Sequence, residues 1–111
     1  MSWITCIVDE EYEIFSEFPF QVRKKKNQRI VKEYLSKGTG YIKLNLNKKP
    51  FLKHRVIALQ FIKNPDPENF KFVDHCNHIK TDNRIENLRW CSQQQNMNNR
   101  SDQIFIDEIL C

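Results

Sequence analysis

The chain is poor in glycine and proline and has no long apolar run. Two Gly and four Pro among 111 residues, with 40% apolar and 29% charged side chains, place it in the globular range of composition and not the disordered one. No apolar stretch approaches the ~18 residues that a bilayer-crossing helix needs. The opening MSWITCIVDEE is too short and too quickly acidic to be a signal peptide. These absences predict a soluble protein with no membrane partner. Cys6, Cys76, Cys91 and Cys111 are widely spaced, so no CxxC pair grips zinc and no dense framework marks a secreted disulfide scaffold. Reduced thiols in an intracellular compartment are the expectation. No repeat or low-complexity segment stands out.

The length suits a single domain, 1–111, with one modest core. A formal charge of +4, with eighteen basic residues, favours polyanionic partners without requiring them. Along the chain, Tyr12-Glu13-Ile14-Phe15 alternates apolar and charged residues, which predicts one or two short strands before a boundary at Pro19. Arg23, Lys24, Lys25, Lys26 and Arg29 form a basic run that suits either a phosphate backbone or a solvated hairpin tip. Tyr41 to Leu46 alternates with period two as a half-buried strand does. Asn47-Lys48-Lys49-Pro50 then turns the chain, and Phe51-Leu52-Lys53 pairs back. From His54, the apolar Val56, Ile57, Leu59 and Phe61 fit a short helix, which Asn64-Pro65-Asp66-Pro67 ends. His54 at its start caps, packs or touches nucleic acid, and a structural role is the favoured reading.

The chemistry concentrates between Val73 and Asn99. Phe70 to His75 and Leu88 to Cys91 read as two strands around a polar loop of twelve residues. Ser92 and Gln95 then form the S-x-x-Q capping box of a helix reaching about Asn99. Asp74 and His75 are neighbours on a strand, so their side chains leave on opposite sides, one free to bind metal while the other faces water. Leu88 and Trp90 share a core face that packs on the final helix. Arg89 points the other way, toward a phosphate or a surface ion pair.

The phrase DH-x-x-x-x-K-T-D-N-R-I-E-N-L-R-W, with Asn96 beyond it, resembles the HNH endonucleases, particularly the H-N-N variant of phage intron-encoded homing enzymes. WITCIVDEEYEIFSEFPFQVRKKK, GYIKLNL and FLKHRVIALQFI are similar to the NUMOD4-type module that precedes HNH in such enzymes. The resemblance implies an α+β fold: a hairpin-rich N-terminal part over 1–64, a ββα-metal motif over 70–100 and a tail over 101–111. It also implies that Asp74 and Asn96 ligate one divalent ion, Mg²⁺ or Mn²⁺, that His75 is the general base, and that Asn87 fixes the loop and helps orient the imidazole. Asp and Asn oxygens are hard ligands for such ions, and two protein ligands leave room for water and phosphate. An imidazole with a pKa near ~6.5 accepts a proton around neutral pH.

The function that follows is metal-dependent hydrolysis of phosphodiester bonds in double-stranded DNA, by nicking or double-strand cleavage, in the cytoplasm of a cell or host, with a phage or virus as one origin. Arg23, Lys24, Lys25, Lys26, Arg55, Arg84, Arg89 and Arg100 are the candidates for backbone contact. The apolar tail Ile104 to Leu110 either folds back, giving a monomer, or joins two copies as a homodimer. The chain departs from its relatives in the turn after the Asp-His strand, where Asn77-His78 stands in place of Asn-Gly, the glycine being the residue that reaches positive φ without strain. That departure motivates the alternative of an HNH-fold DNA-binding module that has lost cleavage. A third reading is a zinc domain built on Cys76, Cys91 and nearby His.

Overall fold

The computed structural model describes residues 2–93. It is α+β, with three small antiparallel sheets around one helix. The first sheet is a meander of β1 (Trp3–Thr5), β2 (Tyr12–Phe15) and β3 (Val22–Lys24), and the second repeats that arrangement with β4 (Glu33–Leu35), β5 (Ile42–Leu46) and β6 (Lys49–Leu52). The alternation in the sequence decides which faces are buried. Tyr12, Ile14 and Val22 turn inward from the first sheet, and Leu44 and Leu46 from the second.

Helix α1 (Lys53–Phe61) follows β6 directly and buries Val56, Ile57 and Ala58 against β5, β6 and the last pair of strands, so it forms the centre of the molecule. That pair is β7 (Phe72–His75) and β8 (Leu88–Cys91), joined through a 3₁₀ turn at Ile85–Asn87. Strand β7 is two residues shorter than expected because Phe70 is used in a turn, donating its N–H to the Asp66 carbonyl. The β5–β6 turn is also tighter than expected. Asn47 and Lys48 alone reverse the chain, both at positive φ, while Lys49 and Pro50 already belong to β6. Pro50 is tolerated there because β6 is an edge strand. Lys53 begins the helix and does not extend the strand.

Polar side chains join these parts. The Asn47 amide donates to Asp9 at 2.7 Å and Glu11 at 2.9 Å, tying the second sheet to the first. Lys53 is fully buried, and its ammonium donates to the Phe20 carbonyl and pairs with Glu33. Trp90 donates its indole N–H to the Ile62 carbonyl at 2.9 Å, so its partner in the described structure is the end of α1. The final helix, the expected partner of Leu88 and Trp90, lies outside the described residues beyond Gln93, as does the tail.

Candidate functional site

Asp74 and His75 close β7, in register with Arg89 and Leu88 of β8. The pleat sends them to opposite sides, but the exposure is the reverse of a water-facing imidazole: His75 is only 3% exposed, and Asp74 is the half-buried one. One Asp74 oxygen accepts the His75 backbone N–H at 3.0 Å, and the other lies 3.7 Å from the Arg89 guanidinium. Arg89 is therefore an ion-pair partner of Asp74.

The His75 ring packs against two other rings. His54 approaches it at 4.7 Å between centroids, tilted by 54°, and Tyr41 stacks at 5.9 Å and 21°. His54 packs, a structural role as favoured, and its Nδ1 is buried without a hydrogen-bond partner among the described residues. Burial, followed by the neighbouring imidazole, pushes the His54 pKa down to about 3. Burial also lowers His75 below its ordinary value, against the raising effect of Asn83 and Asp74. The His75 ring is thus neutral at neutral pH and able to accept a proton.

The loop from Cys76 to Asn87 is held by amides and carboxylates. Asn87 accepts the Asn77 backbone N–H at 3.0 Å and donates to the Asn77 side chain at 2.9 Å and the Asp82 carbonyl at 2.8 Å. Its carboxamide is thereby used on the loop. The hydrogen bond to the imidazole comes from Asn83, whose Oδ1 lies 2.7 Å from His75 Nε2. Any influence of Asn87 on the ring runs through the backbone that it fixes. Asp82 is clamped by Arg84 at 2.8 and 2.7 Å, which holds its carboxyl well below the usual carboxylate range. His78 adopts φ +64, so the turn keeps the left-handed geometry with an imidazole in place of glycine.

Asp74 supplies a hard oxygen donor at a partly buried strand end, chemistry that fits Mg²⁺ or Mn²⁺. Asn96, its expected co-ligand, lies outside the described residues, as does Arg100. Among the described residues no three His, Cys, Asp or Glu side chains converge as a metal cluster, so Cys76 and Cys91 do not assemble a zinc site there.

The basic candidates are distributed over different elements. Arg23 pairs with its cross-strand neighbour Glu13 at 2.6 Å and covers the Trp3 ring, and Lys25 donates to Thr5. Lys24 lies near the Tyr12 ring, and Lys26 is exposed at the β3 turn. These four belong to the first sheet, whereas Arg55 donates to the Lys71 carbonyl beside Trp90, close to the strand pair. Asn83 and Tyr41 escaped sequence reasoning. The closeness of His54 to His75 did too, although His54 shares the i, i+3, i+4, i+7 stripe with Ile57, Ala58 and Phe61 and that spacing already signals burial.

The family model described as HNH endonuclease matches residues 51–98, the span from β6 through the Asp-His strand and the loop. Two relatives from Acanthamoeba polyphaga mimivirus, called uncharacterized HNH endonucleases L247 and L245, are 49% and 42% identical over 53 residues. That overlap is 48% of this chain but only 13% and 15% of theirs, so the chain spans a small part of the length of these relatives. The solved structure titled "DNA binding and cleavage by the HNH homing endonuclease I-HmuI" superposes with a TM-score of 0.72 at 28% identity, covering 90% of this chain and 57% of that one. The HNH resemblance carried by Asp74-His75, Asn87 and the Leu-Arg-Trp strand is thus matched in sequence and in fold, and it supports a nuclease or DNA-binding role. Among the described residues no helix is long and apolar enough to cross a membrane.

Proposed function

Taking the HNH segment at residues 51–98 as premise, we propose that this chain is a metal-dependent endonuclease that hydrolyses phosphodiester bonds in double-stranded DNA. The observation that carries the reading is the end of β7, where a partly buried carboxylate, 13% exposed, and a buried, neutral imidazole sit on adjacent residues. Asp74 and Asn96 would hold the ion. When bound, a divalent ion supplies positive charge to the phosphate and the leaving 3′ oxygen. His75 takes the proton of the attacking water, and its burial keeps the ring unprotonated and ready. Arg89 pairs with Asp74 and adds positive charge beside the phosphate.

Around this centre, Arg55, Arg84 and Arg89 contact the DNA backbone near the cut. Arg23 to Lys26 follow it along the first sheet, with exposed Lys26 the freest to do so, and Arg100, outside the described residues, is the remaining basic candidate. Residues 1–64 form the NUMOD4-like part of one 111-residue domain that works inside a cell or an infected host, as a monomer or as a homodimer through its tail. Incubation with supercoiled plasmid and Mg²⁺ or Mn²⁺ tests the reading: open-circular or linear product is expected, with His75→Ala slowed by about 100-fold or more. Salt-sensitive DNA retention without any metal-dependent product leaves the cleavage-free DNA-binding module in its place.

A further inference from the structure

Asn83 is, with Asn87, one of two residues that the twelve-residue loop turns inward. It is 7% exposed, between Asp82 and Arg84, which form their own ion pair on the outside. Its Oδ1 reaches the His75 ring at 2.7 Å, a bond between two buried side chains. A carboxamide oxygen only accepts, so the ring nitrogen facing it carries the hydrogen. In a neutral imidazole the other nitrogen then has the lone pair. The ring cannot exchange its two nitrogens freely, because His54 and Tyr41 pack against it. Tyr41 is itself backed by Lys80, whose ammonium lies 5.1 Å from the Tyr41 ring and donates to the Thr39 carbonyl at 2.9 Å. Strand β7, the polar loop, α1 and the residue preceding β5 all meet at this one ring.

We propose that Asn83 is a positioning residue that holds the His75 imidazole as the Nε2–H tautomer and so makes Nδ1 the nitrogen that receives the proton. The assignment rests on the nuclease reading for its consequence in catalysis, but the tautomer is a property of the folded chain alone. Loss of the acceptor lets the ring sample both tautomers and a wider range of orientations, which lowers the turnover rate and leaves DNA affinity in place.

Long-range ¹H–¹⁵N NMR of the imidazoles at pH 8 tests this in the full chain, with His75 identified by comparison with His75→Gln. Wild type is expected to give the Nε2–H pattern for His75, and an Nδ1–H pattern overturns the proposal. Asn83→Ala is expected to give a mixture of tautomers and a kcat for plasmid nicking about 10- to 100-fold lower, with KM for DNA within about twofold, the size seen when a partner that orients a metal-site histidine is lost. An unchanged pattern in a folded Asn83→Ala overturns the proposal as well. If Asn83→Ala does not fold, Asn83→Asp, of the same shape and with an acceptor retained, is read instead: Nε2–H supports the assignment and Nδ1–H overturns it. A wild-type protein with the Nε2–H pattern that cuts no DNA under Mg²⁺ or Mn²⁺ overturns the nuclease reading and leaves the tautomer assignment standing.

Discussion

The two N-terminal sheets with α1 and the loop between β7 and β8 are held together by opposite means. In the first region Ile14, Val22, Leu44, Leu46 and Ile57 are completely buried, and polar contacts join parts that apolar packing has already formed. In the loop even the apolar Ile79 and Ile85 are exposed, at 53% and 37%, while Asn83 and Asn87 are the buried side chains. Apolar packing is non-directional and spreads its contribution over many contacts, whereas an amide network depends on each donor meeting its acceptor. The scaffold therefore sets how stable the protein is, and the loop sets how well the end of β7 is aimed.

The largest effect on stability is expected from the scaffold. Ile57→Ala removes a side chain with no exposed surface and should cost about 2–5 kcal/mol in chemical denaturation. Below its melting temperature this variant should keep most of the wild-type nicking rate. A nicking loss as large as the stability loss would erase the division between the two regions. Asn87→Ala attacks the loop instead. It removes three side-chain hydrogen bonds and should cost about 3 kcal/mol, at roughly 1 kcal/mol per bond. Amide exchange should accelerate at Cys76 and Asn77 well before it does in β2 or β5. Uniform acceleration through all three sheets would mean that the loop is part of the global core.

The same division explains what was legible in the sequence. Period-two alternation in Tyr12 to Phe15 and Ile42 to Leu46, and the apolar face from Val56, report burial directly, so strands and helix fall where the pattern puts them. The neighbouring Asp74 and His75 were visible as an opposed pair for the same reason. Hydrogen bonding has no period. Asn77, Asp82, Asn83, Arg84 and Asn87 present similar side chains, and only the path of the loop decides that Asn83 meets the imidazole while Asn87 meets the backbone. Lys53 was equally opaque, since its partners Phe20 and Glu33 come from the β2–β3 connection and from β4, far apart in the chain from it. The basic run was obvious as charge, but Arg23 is matched to Glu13 by β-sheet register, which composition does not reveal.

Acid sharpens the comparison, because scaffold and loop meet where the His54 ring packs against His75. The folded His54 pKa, about 3, lies below the unfolded value of 6.5. The unfolded chain therefore binds more protons between these values, and stability rises with pH across that window. The contribution of His54 is complete above pH ~6.5 and is lost as pH falls toward ~3, at up to about 1.4 kcal/mol per pH unit. His75, also lowered, acts in the same direction. Between pH 7 and pH 5 the share from His54 is about 2 kcal/mol, and His54→Gln should flatten urea-denaturation stability over that range by this amount. An identical pH slope in wild type and variant would mean that His54 is charged in the fold.

The smallest expected effect separates the regions by backbone alone. Lys48 in the β5–β6 turn and His78 in the loop both occupy the left-handed region, at φ +68 and +64. A side chain there costs about 1–2 kcal/mol, which glycine avoids at the expense of greater freedom in the unfolded chain, so each substitution to Gly should return about 0.5–1 kcal/mol. Lys48→Gly converts the pair into Asn-Gly, the favoured two-residue hairpin turn, and should raise the melting temperature without touching nicking. His78→Gly relieves the same strain three residues from His75, where the His78 N–H donates to the His75 carbonyl at 3.0 Å. Its gain in stability should match that of Lys48→Gly if strain is all that His78 contributes. A loss of nicking in His78→Gly, with stability raised as expected, would assign the imidazole at this turn a part in aiming the site.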